Sequence, residues 1–372
     1  MALRAGRAVA TTVAFTAALP WLCCGEGTAK APPSPAPGLV ANLLRHRDDA
    51  LARAKVWRPP ATPIAEADLL NDGPNPFTAS DRIECRYQLK VTGGVTPKFH
   101  CDLGDGRVIK VKYGQFNPEP RTERAASKLL SALGFGADRM YAVKLVRCNG
   151  CPPYPHPRWR FLNRLFGRPS RRVDFEDVAV EDPMPGRPIE AGDKEGWAWY
   201  EMDNVDASRG GATRAELDAL RLIAVFLAAW DNKAANQALV CLPGGDRPDG
   251  GCDTPFAYLH DVGSTFGPKG LDLEAWRATP IWANASTCQV SMKSLPFHGA
   301  TFRDTAISEG GRRFLADKLK QLRPEQVRDL FTGAGFTEYA RSSSAGRDVV
   351  HWAAAFEDKV RQIADRPPCP EP

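Results

Sequence analysis

LRLIAVFLAAWDNKAAN, residues 220–236, sets a long apolar run directly against an acid, a lysine and two amides. Such groups are costly to bury without partners, so the run is expected to end at a wet, functional edge. Thr213 and Glu216 stand ahead of it in capping-box spacing. That predicts one long helix whose last turn delivers Asp231 to a cleft. Downstream, Cys241 and Cys252 bracket LPGGDRPDGG, an evident turn, and FAYLHDVGSTFG (256–267) opens as a short apolar strand ending in Asp261. GGRRFLADKLKQL, RPEQVRDLFTGAGF and DVVHWAAAFEDKVRQIA then read as helices.

Upstream of residue 204 the period changes. RIECRYQLKV (82–91), KFHCDL (98–103) and RVIKVKYG (107–114), punctuated by TGGVTPKF (92–99) and GDG (104–106), predict a three-stranded antiparallel meander. TERAASKLLSALGF (122–135) reads as a helix with Gly134 near its end, and MYAVKLVRC (140–148) as a further strand. The basic run at 154–172 is expected to be a solvated loop pairing with the acids of DFEDVAVED (174–182), and EGWAWYEMD (195–203) a strand entering a connector. The helix-like stretch 38–57 is expected to pack outside the main fold. The fold class is therefore α+β, with a β-rich N-terminal lobe carrying one helix (81–203) and a mainly α C-terminal lobe (204–372).

With 372 residues the chain can bury a large core. A net charge of only +5 gives little support to nucleic-acid binding. Arg4 and Arg7 precede the uncharged AVATTVAFTAALPWL and then Cys23 and Cys24. This is the pattern of an export signal over 1–31, too short for a comfortable membrane span. The expected location is the periplasm, cell surface or medium, with membrane attachment open through the signal or a lipid on Cys23 or Cys24. Residues 32–80 read as a Pro-rich linker with an amphipathic helix. The remaining eight cysteines fit disulfides in an exported chain. Cys85 and Cys101 are symmetric about Gly93, Cys241 and Cys252 flank a turn, Cys148 and Cys151 form CNGC, and Cys288 and Cys369 are left. CNGC is read as a disulfide rather than half a zinc site, because no second pair of compact spacing accompanies it.

Phosphoryl transfer needs a lysine on the phosphates, an acid orienting it, oxygen ligands for magnesium and an acid near the acceptor hydroxyl. Val108, Lys110 and Lys112 share one strand face, so either lysine can point into a cleft. Glu123 begins the next helix, where the helix dipole alone also favours an acid. Gly93 and Gly94 let backbone amides approach phosphate oxygens, and Lys98 adds a further contact.

DNKAAN is the only place where Asp precedes Asn by five, and Asp261–Gly263 reads DVG. In this order the motifs resemble the protein-kinase-like superfamily over roughly residues 82–340, with GGVTPK and VKYG looking closest to the atypical branch of HipA-type and phosphatidylinositol kinases, here as an exported bacterial-type member. The resemblance implies a bilobal kinase-like fold and use of ATP with magnesium or manganese. It implies Asp231 as catalytic-loop acid, Lys233 neutralising the transferring group, and Asn236 and Asp261 as metal ligands. Lys112 or Lys110 would hold the nucleotide with Glu123 as partner, and WAWYEM (197–202) would lie near the hinge. Ala229 and Trp230 stand where conventional kinases have His-Arg, and no conventional activation-loop ending follows Asp261.

The acceptor, a protein, lipid or small-molecule hydroxyl, is left open, as is the oligomeric state. Two alternatives stand beside an active kinase: an exported pseudokinase, and a disulfide-stabilised cell-surface binding module in which Asp231 and Asn236 cap a helix. The six histidines lack a metal-protease spacing, Ser264 lacks a nucleophile elbow, and His100 and His260 read as structural, His260 with a ring able to orient Asp261.

Overall fold

The computed structural model describes residues 37–370, apart from 74–76, 78–81, 91–93, 95, 157–160, 164–171, 193, 269, 297–298 and 340. The expected export signal, Cys23, Cys24, Gly93 and most of the basic run lie outside the described residues. No helix among the described residues is long and apolar enough to cross a membrane.

The meander forms as β1 (Arg82–Gln88), β2 (Lys98–Asp102) and β3 (Val108–Lys112). It does not stay open. β4 (Arg139–Asn149) and β5 (Arg172–Asp182) close it into a barrel of order β1-β2-β3-β5-β4, in which β1 and β4 run parallel. The acidic run is thus a strand. Its period-2 signal is broken at Asp177, which sits at φ 49°; Asp tolerates that region, and the left-handed residue shifts the side-chain phase while the pairing with β4 keeps one register on both sides of it. Phe175 before it and Val178 and Val180 after it all face the barrel interior, with Phe99, Val111, Tyr141 and Val146. Glu181 falls on the other face, directly opposite Lys110.

Helix α1 (Pro37–Ala52) packs into the main fold rather than outside it. Arg47 is 1% exposed and donates to both carboxylate oxygens of Glu201 (2.9 Å each) and to the Gly196 carbonyl (2.8 Å). Helix α2 spans Glu119–Ala132, so it starts earlier than its apolar periodicity indicates and Glu123 lies in the second turn. Pro120 marks the true start: a proline in the first turn loses no hydrogen bond, because that N–H has no intrahelical partner. The apolar face of α2, Ala125, Ala126, Leu129 and Leu130, joins the large core of the C-terminal half.

Helix α3 (Arg214–Leu227) begins with the expected reciprocal Thr213–Glu216 cap. Every residue from Leu217 to Leu227 is buried, which explains the unbroken apolar run. The helix stops at Leu227, because Ala228 turns left-handed at φ 55°. Asp231 therefore stands on a loop beyond the helix and not on its last turn. That loop leads into a three-stranded sheet of β6 (Arg187–Pro188), β7 (Gln237–Cys241) and β8 (Pro255–Leu259). Residues 195–203 form no strand; Trp199–Asn204 is a 3-10 turn, entered where Glu201 accepts the Ala198 N–H (2.8 Å). The helices that follow in the C-terminal half are α4 (Leu273–Ala278), α5 (Glu309–Leu319), α6 (Pro324–Gly333) and α7 (Val349–Ala364). Their core is aromatic, with Phe266, Trp276, Phe331, Phe336 and Trp352 in mutual edge and stacked contacts.

The four disulfides are Cys85–Cys101, Cys148–Cys151, Cys241–Cys252 and Cys288–Cys369, the expected pairing. Such bonds are consistent with an exported protein. One detail differs. The β1–β2 register pairs Tyr87 with Cys101, so the hairpin is centred on Gly94 and the Cys85–Cys101 bond is diagonal rather than directly across.

Candidate active site

A cavity of about 770 Å³, within the usual range for small-molecule sites, is lined by Lys98, His100 and Lys110 of the barrel, Glu119 of α2, Asp231, Lys233 and Asn236 of the DNKAAN loop, and His260, Asp261 and Gly263. Its sides are built by local rules. Lys110 and Lys112 alternate with Ile109 and Val111, which point into the barrel; both ammonium groups therefore leave on the outer face toward α2 and Glu181. Lys112 Nζ lies 2.5 Å from Glu123, 3.4 Å from Glu181, 3.6 Å from Asp261 and 3.8 Å from Glu119, and its side chain is wholly buried. Lys110 Nζ meets Glu181 at 2.5 Å and Lys98 Nζ lies 3.8 Å from Asp261.

This cluster holds four carboxylates and three ammonium groups. Burial works against charge at Lys112, yet Asp261, Glu123 and Glu181 around it hold it well above the usual lysine range. At Asp261 burial is likewise outweighed, by Lys112, Lys98 and Lys110, and its carboxyl stays well below the usual range. Burial also opposes ionisation of Glu181, but Lys110 and Lys112 bring it down to about 2. One acid exceeds the supply of cations. Glu123, the deepest, is pushed up to about 8 by burial against the pull of Lys112, so the surplus proton resides there at neutral pH.

On the opposite side, Asp231 receives both of its side-chain bonds from Lys233 Nζ, at 2.9 and 2.8 Å. Asn236 donates to the Asp231 carbonyl (2.5 Å), and its own carbonyl accepts the His260 and Asp261 N–H groups at 3.0 Å each. These bonds tie the DNKAAN loop to DVG. Asn232, 2% exposed, anchors the loop from behind: its side-chain oxygen accepts the Thr301 and Phe302 N–H groups. Gly263 is required sterically, because a Cβ there would come within 2.8 Å of Glu119 Cγ. Gly94, at φ 83°, lines the cavity beside Lys98; its neighbour Gly93 lies outside the described residues.

One sequence expectation is corrected here. His260 does not turn its ring to Asp261 but pairs its Nδ1 with Asp138, whose other oxygen accepts Tyr258 Oη–H (2.9 Å) and Met184 N–H (2.8 Å). Burial opposes the imidazolium, yet Asp138 raises it to about 9. WAWYEM does not line this cavity; Trp197 and Trp199 are buried in the larger core, with Trp199 beside Asp231, Asn236 and Asp261 around a small adjoining void. Sequence reasoning also missed Glu119 and Glu181. Glu119 was legible from the flanking prolines, and Glu181 only by allowing a left-handed residue at Asp177 inside an acidic strand.

No protein-family model matches the sequence, and no curated protein does. Among solved structures the chain is similar to the crystal structure of a Helicobacter pylori proinflammatory kinase, CtkA. The match has a TM-score of 0.40 and 12% identity, and covers 77% of this chain and 96% of that one.

Proposed function

We propose that the protein is a phosphotransferase of bilobal kinase-like form that uses a magnesium-bound nucleoside triphosphate such as ATP. The observation that carries this reading is one cavity lined by an ionised Asp261 and the Asp231–Asn236 loop, with the buried Lys112–Glu123 pair directly behind Asp261. A phosphate-binding lysine must stay charged, and Lys112 is held so by the carboxylates around it. Lys98 and Lys110 present further positive charge to the cavity beside Gly94. Asp261 and the Asn236 side-chain oxygen are the residues that would hold magnesium, a hard cation that prefers oxygen ligands; the metal would neutralise phosphate charge as the terminal group leaves. The Asp261 carboxylate is ionised while its nearest ammonium groups stand off at 3.6 and 3.8 Å, an arrangement fitted to a cation. Asp231 would orient the acceptor hydroxyl and take its proton, with Lys233 beside it moving to the transferring phosphoryl group.

Calorimetry with ATP, with and without magnesium or manganese, tests the reading. We expect metal-dependent binding in the wild type. Asp261→Ala should weaken it at least tenfold, whereas Asp231→Ala should bind normally and lose phosphate transfer by about 10²-fold or more. No nucleotide binding under any metal condition sinks the proposal. A second reading, binding without transfer, is favoured by the four disulfides, because nucleoside triphosphate is scarce where such bonds form. Wild-type protein that binds ATP yet never labels an acceptor or itself would select it.

A further inference from the structure

The barrel seam holds a constellation that the proposed activity does not use. Cys85 on β1 is the direct ladder partner of Cys148 on β4, and Cys101 on β2 lies diagonally across β1. The Sγ atoms of these three residues all lie within 4.8 Å of one another. Gly150, at φ 74°, reverses the chain so that Cys151 returns to Cys148. Four sulfurs therefore form one buried group, none more than 4% exposed. The partner that CNGC lacks in the linear sequence is supplied across strands.

Within this group Cys101 Sγ and Cys148 Sγ, which belong to different disulfides, are 3.7 Å apart. A zinc ion bonded to four thiolates at about 2.3 Å spaces them at a tetrahedral edge of about 3.8 Å. The Cys101–Cys148 pair already stands at that edge, and Cys148–Cys151 has the C-x2-C spacing of structural zinc sites. We propose that Cys85, Cys101, Cys148 and Cys151 form a single two-state staple: two disulfides in oxidising surroundings, and a structural four-thiolate zinc site when reduced. In the exchange, each disulfide takes two electrons and two protons from a small dithiol, which is oxidised to its own disulfide. The four resulting thiols release their protons as zinc binds. Either state pins β1, β2 and β4 together where the barrel closes.

The test uses the full chain, reduced with a phosphine or dithiol under argon, loaded with zinc or cobalt and freed of excess metal. The expected result is one zinc retained per chain. Cobalt loading should give the visible bands of a tetrahedral ion, with thiolate charge-transfer absorption matching four thiolates. Cys101→Ser/Cys151→Ser should lose the retained metal, whereas Cys241→Ser/Cys252→Ser should keep it. Loss of zinc in the control pair, no zinc on the reduced wild type, or a cobalt spectrum with fewer than four thiolates would each overturn the proposal. The wild-type cobalt spectrum decides the matter even if the serine variant fails to fold.

Discussion

Lys112 shows how a single side chain sets the electrostatics of the site. It is the one ammonium group within reach of Glu119, Glu123, Glu181 and Asp261 together, and no water reaches it. Lys112→Met would leave buried carboxylates without their shared counter-charge, and breaking a buried pair in this one-sided way costs about 3–5 kcal/mol. Glu123→Gln is a different kind of change. Because Glu123 is pushed up to about 8, it already carries a proton at pH 6, and an amide is close to it in shape and charge. We expect urea denaturation at pH 6 to report a loss of about 3 kcal/mol or more for Lys112→Met and less than about 1 kcal/mol for Glu123→Gln. Equal losses would mean that Glu123 is ionised. The sequence offered Lys110 and Lys112 as alternatives, since alternation places both on one face; which is buried depends on Glu123 and Glu181, contributed by α2 and β5.

Secondary-structure elements were legible where one local rule dominates. The Thr213 cap and unbroken apolar run gave α3, and the glycine turns gave the β1–β3 meander. Reading failed where tertiary partners override the local signal: at Asp177, whose left-handed φ resets the strand, and at Ala228, which ends α3 early while remaining buried. The DNKAAN loop depends on another such contact. Gly196, at φ 63°, lies against its backbone, and a Cβ there would fall 2.0 Å from the Gln237 carbonyl oxygen and 2.3 Å from that of Ala234. Neither carbonyl can retreat without moving Asn236 between them. Gly196→Ala therefore combines left-handed strain with overpacking, a cost of about 2–4 kcal/mol. A thermal melt should show this loss, and any metal-dependent nucleotide binding should weaken with it. An alanine variant as stable as wild type would mean that the loop can yield.

At the scale of the whole molecule, the cavity joins segments far apart in the chain, and Asp138 is a buried link among them. It lies between α2 and β4, yet its carboxylate bonds Tyr258 at the end of β8, His260 beyond it, and the Met184 N–H after β5. No local pattern announces such a residue, because its three partners come from segments 46 to more than 120 residues away. The link makes stability depend on pH in a defined direction. His260 is raised from 6.5 to about 9, with Asp138 and Glu181 favouring its charge and burial and Lys110 opposing it. The folded state thus binds this proton more tightly than the unfolded chain. Its contribution is complete below about pH 6.5 and disappears as pH rises through 9. Glu123 adds a slope of the same sign, being raised from 4.5 to about 8, so the wild-type curve alone would not isolate the histidine. The difference between wild type and His260→Gln does. With the ring about 29% exposed, that difference should shrink by about 1–3 kcal/mol between pH 6.5 and 9.5 in urea titrations. A gap that stays constant across this range would show that Asp138 holds a neutral imidazole, and the link would then be an ordinary hydrogen bond.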